Sequence, residues 1–81
     1  MAYSIRDIKS EIKRFGKHRY IRGELHKRGW KIKDIARELG VSDTAVQLVM
    51  EDKTKSRRIA RKIEELLELP YGTLFEYTRE G

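Results

Sequence analysis

Cysteine is absent from the 81 residues, which removes disulfides, thiolate metal sites and cysteine nucleophiles and leaves the chain to hold together by packing alone. Proline occurs once, at Pro70. Apolar runs reach only a few residues, far short of the ~20 that span a bilayer, and Arg6 and Asp7 place charge where a signal peptide would be apolar. No segment alternates apolar and polar residues over a strand's length, and no Asn-Gly or Asp-Gly pair marks a hairpin, so the chain reads as all-α. His18 and His26 have no cysteine or paired carboxylate beside them, so no metal site is expected. No Gly-rich phosphate loop or Ser/His/Asp set is present. The chain is therefore expected to be a cytoplasmic protein that is not an enzyme and carries no cofactor.

What is abundant is charge. Nineteen Lys and Arg against thirteen Asp and Glu give a net charge of +6, which favours polyanionic partners without naming one. Position says more. Residues 1–31 carry ten basic and three acidic side chains, residues 32–52 two and five, residues 53–62 six and none, and residues 63–81 one and five. Two basic blocks thus flank an acidic middle. Taken singly, each block also fits an ordinary solvated helix face.

Helical spacing organises the apolar residues. Ser4 caps a first helix with Asp7 at its third position, and Ile5, Ile8, Ile12 and Phe15 recur up to Gly16. A second helix spans about His18 to Arg28, with Ile21 and Leu25 inward, and Gly29 ends it. Gly23 within it costs helix propensity and suggests close packing of another helix. The third runs from Ile32 to Leu39 and stops at Gly40. Ser42 caps the fourth, whose inward face is Val46, Val49 and Met50. Ser56 caps a fifth carrying Ile59, Ala60, Ile63, Leu66 and Leu67, which Pro70 ends. Arg61 and Lys62 read as solvent partners of Glu64, Glu65 and Glu68. Leu74 and Phe75 fold a last short helix or turn back on the core, and Trp30 lids it.

Residues 32–51 form a twenty-residue helix-turn-helix pattern. Ala36 is small where the second helix must cross the first, Gly40 supplies the positive φ of a tight turn, and Val41, Val46 and Val49 join the two helices. An ordinary αα-hairpin in a small bundle could show the same residues, so the pattern alone leaves that reading open.

Together with Tyr20-Ile21-Arg22-Gly23-Glu24-Leu25 before it and the Leu69-Pro70 and Leu74-Phe75 ending after it, the motif resembles the lambda-repressor-like class of small phage and bacterial regulators, which includes Cro, repressor and Ner-type proteins. The resemblance spans roughly residues 18–76. It implies a compact five- to six-helix DNA-binding domain whose fourth helix, about Asp43 to Met50, lies in the major groove, with dimers on two half-sites. Residues 17–77 would form that domain, residues 1–16 an amphipathic helical extension and residues 78–81 a tail.

Carried over by position, the base-facing candidates are Ser42, Asp43, Thr44, Gln47 and Leu48. Gln47 matches adenine by giving and accepting one hydrogen bond each. Ser42 and Asp43 fit equally well as helix-terminus residues, and Leu48 fits either a thymine methyl group or the edge of the core. Glu51 is repelled by phosphate unless paired. Phosphate candidates are Lys53, Lys55, Arg57 and Arg58 after the recognition helix, Lys17, Arg19 and Arg22 at the second helix, and Lys33. The stripe of Ile5, Ile8, Ile12 and Phe15 suits either the core or a homodimer, and the basic residues beside it, Arg6, Lys9, Lys13 and Arg14, suit DNA or, less well, a membrane surface. The partner expected is double-stranded DNA, with transcription regulation or repression as the role. A protein-interaction adaptor, an antitoxin-like subunit or a DNA-bending recombination accessory remains an alternative.

Overall fold

A computed structural model describes residues 5–79, with side chains from residue 8 onward. It places five helices in chain order, α1 (Ile5–Phe15), α2 (Lys17–Lys27), α3 (Ile32–Leu39), α4 (Asp43–Met50) and α5 (Arg57–Leu66), followed by a 3₁₀ turn at Glu76–Thr78. There is no strand among the described residues. The expected Ser4 cap and the Ile5 side chain lie outside them.

The core is the set of inward faces read from the sequence. Ile21, Leu25, Ile35, Val46, Val49, Met50, Ile63 and Phe75 are all buried, and Ala36 is the small residue where α3 meets α4. Gly40 stands at φ 68°, in the left-handed region that lets the chain leave α3 and enter α4 within three residues. Ser42 Oγ accepts from Ala45 N–H at 3.1 Å and Ser56 Oγ from Ile59 N–H at 3.4 Å, so both expected caps form. Asp34 adds a carboxylate that accepts from the Lys31 N–H at the start of α3.

Four helices end by one device, in which the first or second residue past the helix turns left-handed and the next N–H returns to a carbonyl more than a full turn back. Trp30 N–H reaches Leu25 O, Val41 reaches Ala36, Lys53 reaches Leu48 and Leu69 reaches Glu64, at 2.9 Å in each case. The left-handed residue is glycine at 29 and 40 but Asp52 and Glu68 in the other two, at φ 60° and 57°. The helix expected to run up to Pro70 therefore stops at Leu66, before the proline can act.

One open choice narrows and two other expectations change. Ile8 is buried and Ile12 packs on the core, so α1 is bound to α2 and only Phe15 of the described stripe is exposed. Of the two uses left open for the stripe, its described part largely serves the core. Gly23 faces open space rather than another helix. Thr78 is fully buried, so the folded unit passes the boundary drawn at residue 77.

The largest departure is Glu64, expected at a solvent-facing position and in fact fully buried. Its carboxylate accepts from the backbone N–H of Leu74 at 2.8 Å, more weakly from that of Phe75, and from the Thr78 hydroxyl. Arg61 donates to the Thr78 carbonyl and lies over the Tyr71 ring, and Lys62 pairs with Glu38 of α3 at 3.5 Å.

Glu64→Ala leaves buried backbone donors without an acceptor and should cost on the order of 3 kcal/mol, lowering Tm by roughly 15 °C for a domain of this size. A loss under about 1 kcal/mol in thermal denaturation would mean that those donors find other partners. Glu24 is also buried. Burial opposes its ionisation, but hydrogen bonds from Lys27 and Arg28 outweigh burial and hold its carboxyl below the ordinary 4.5. A lowered folded-state value stabilises above the unfolded value and fades as pH falls through the folded one. Glu24→Gln should therefore be less stable than the parent at neutral pH, with the gap closing in acid below pH 4.5; a gap constant with pH would contradict this.

Candidate nucleic-acid interface

Burial of Val46, Val49 and Met50 fixes which side of α4 meets solvent. At 100° per residue the opposite side carries Thr44, Gln47 and Leu48 and continues to Glu51, with Asp43 at its flank. Thr44 and Gln47 are exposed and make no side-chain hydrogen bond among the described residues. Gln47 thus offers a donor and an acceptor at no internal cost, and Thr44 a hydroxyl. Leu48 is half-buried yet is not among the side chains packed on the core, which leaves part of an apolar surface beside the two polar ones.

The remaining base-facing candidates have work inside the fold. Ser42 spends an acceptor lone pair on its own helix. Asp43, in the first turn of α4, complements the positive end of the helix dipole. Glu51 pairs with Lys53 at 3.2 Å, which moderates its charge and occupies a residue expected on phosphate.

A cleft of about 300 Å³ adjoins the start of α4. The middle of α2 contributes Arg22 and its end His26, the connection to α3 contributes Trp30 and Lys31, α3 contributes Lys33, and α4 contributes Asp43 and Gln47. Arg22 and Lys33 are exposed and unpaired among the described residues. Two expected phosphate residues and two expected base residues, separated by up to 25 positions in the chain, thus share one concavity. Its chemistry is cationic on the α2 and α3 walls and amide and carboxylate on the α4 wall.

The other basic candidates stand elsewhere. Lys17 is held by Asp52 at 2.8 Å, with its ammonium over the Phe75 ring; the pair fastens the start of α2 to the end of α4. Arg57 donates to the Arg79 carbonyl at 2.8 Å and lines, with Arg58, a groove on the α5 side. Arg19 lines a groove between α1 and α2 with Phe15. Lys55 faces a further groove beyond the end of α4. His26, Trp30 and Lys31 join the cleft without a local signal that places them there. The run from His26 to Lys31 reads as a helix end and turn, and its approach to α4 is set only by tertiary packing. His18 and His26 line different cavities, and no helix among the described residues is long and apolar enough to cross a membrane.

Comparisons of the chain with protein-family models, curated proteins and solved structures found no match.

Because Ser42 acts as a cap, Ser42→Ala should cost about 1 kcal/mol of stability, read by urea denaturation. Ser42→Asp, which restores an acceptor, should recover most of it; equal losses in both variants would count against the capping role.

Proposed function

We propose that the chain is a sequence-specific regulator that binds double-stranded DNA, with α3 and α4 as a lambda-repressor-like helix-turn-helix and α4 laid in the major groove. The observation that carries the reading is the unpartnered face of Thr44, Gln47 and Leu48 bordering a cleft whose other walls hold Arg22 and Lys33. An eight-residue helix is about 12 Å long, which suits insertion into a major groove about 12 Å wide. Since α4 has no cation of its own, its side chains would select bases, and affinity would come from the cations around it. The phage-type regulatory role and the pairing of two copies on two half-sites belong to the same proposal.

Titration against a duplex pool, with selection of bound sequences, tests it. A dimer neutralising about eight phosphates should show a log–log salt slope near −7, and a monomer about half that. Gln47→Ala should cost about 1–3 kcal/mol on the selected site and little on random duplex, whereas Lys33→Ala should weaken both alike. A slope near zero would exclude DNA and favour the protein-adaptor alternative. Equal losses for Gln47→Ala on both DNAs would remove Gln47 from base selection.

A further inference from the structure

Beyond the far end of α4 lies a groove of about 760 Å³, walled by α1, the 51–55 connection and the segment from Gly72 to Arg79. Its charges are strongly one-sided. Lys17 and Asp52 neutralise each other, which leaves Lys9, Lys13, Lys55 and Arg79 against the lone carboxylate of Glu76. None of these four cations has an ion-pair partner among the described residues. Lys9 and Lys13 are one helical turn apart and lie on the same side of α1, while Arg14, the next residue, turns away over the Phe15 ring. Like charges gathered around a concavity repel one another, and the repulsion is relieved when an anion enters.

The groove is also placed relative to α4. The Arg22 and Lys33 cleft meets α4 at its first residue, Asp43, and at Gln47 in its middle, and this groove begins at Asp52, just past its end. Two cationic surfaces therefore bracket a helix of major-groove length. A duplex with a helix in its major groove presents a phosphodiester strand on either side of that groove.

We infer that Lys9, Lys13, Lys55 and Arg79 form a second phosphodiester-binding groove, which takes the DNA strand on the opposite side of the major groove from the strand held at Arg22 and Lys33. It makes α1 part of the DNA-binding surface rather than an appendage. The inference rests on the proposed DNA binding, and the ligand chemistry is backbone phosphate, read without regard to base sequence.

The test compares Lys9→Ala/Lys13→Ala with Arg14→Ala in the full chain, by titration of selected and random duplexes from 50 to 200 mM salt. Alanine suits a helix interior, so α1 is retained; circular dichroism checks this. The double variant should lose about 1.8 from the magnitude of the salt slope for each bound protomer, hence about 3.6 for a dimer. The parent's advantage over it should then shrink roughly tenfold per bound protomer across that salt range, by the same amount on both duplexes. Arg14→Ala should keep the parental slope. A double variant with the parental slope, in a parent that binds DNA, would overturn the second groove and leave the proposed function standing. A matching per-charge loss in Arg14→Ala would reduce the effect to net charge and overturn it too. A parent that binds neither duplex at low salt would remove both proposals together.

Discussion

The carboxylate of Glu64 has no access to solvent, and its hydrogen bonds run to the backbone of Leu74 and Phe75 and to the hydroxyl of Thr78. A buried carboxylate is tolerated only where donors surround it. Here the donors belong to a segment with no long helix of its own, so the same contact that satisfies the charge also fixes the path of the chain after Pro70. That path seats Phe75 in the core and sets its ring beneath the Lys17 ammonium, while Lys17 in turn holds Asp52 at the end of α4. Through these steps one carboxylate in α5 braces the junction of α2 and α4, whose buried faces also pack directly on each other. The 72–79 wall of the groove beyond α4 rests on the same carboxylate.

Much of this arrangement is legible in the sequence where one residue has one physical use. Ala36 at a crossing, Gly29 and Gly40 at positive φ, and Ser42 and Ser56 ahead of apolar periods each lead to the observed element. Asp52 and Glu68 do the work of glycine without looking like it, because a carboxylate can be forced left-handed when the surrounding hydrogen bonds offset the strain. Pro70 is consequently the only stop signal that stands out after α5, although the helix ends ahead of it. Glu64 is hidden for a related reason: among Glu64, Glu65 and Glu68, in and just past a helix rich in Lys and Arg, charge does not single out the buried one. Its periodicity does place it beside Ile63 and Ala60, and a buried acceptor there implies backbone donors from a returning segment.

The candidate site divides along the same line. The outward face of α4 follows from helical period and the apolar pattern, so Thr44, Gln47 and Leu48 are legible in the sequence. Which cations stand next to that face is not, because basic side chains are frequent in this chain and their spatial grouping depends on helix packing. Thus Arg22 and Lys33 join Gln47, whereas Lys17 and Lys53 are drawn into ion pairs with the acidic residues 51 and 52 that follow α4. Those acidic residues are what make the sequence look unfavourable for a polyanion. In the folded chain much of their charge is met by lysines.

That neutralisation changes how the charge pattern should be weighed. Over residues 32–52 acidic side chains outnumber basic ones, and a uniform smear of that charge would repel a phosphate backbone from α4. Electrostatic repulsion is local, however, and falls off over about 8–10 Å at ordinary ionic strength. Asp52 and Glu51 are each within 3.2 Å of a lysine, and Glu38 is 3.5 Å from Lys62 on the α5 side. Asp34 and Asp43 remain: Asp34 accepts from the Lys31 N–H, and Asp43 faces a cleft lined by Arg22, Lys31 and Lys33. The acidic middle block therefore presents little unbalanced negative charge at either end of α4, while Lys9, Lys13, Lys55 and Arg79 keep theirs. The carboxylates that follow α4 are thus matched, Asp43 at its start shares a cleft with three cations, and the cations of the groove beyond its end have no ion pair among the described residues.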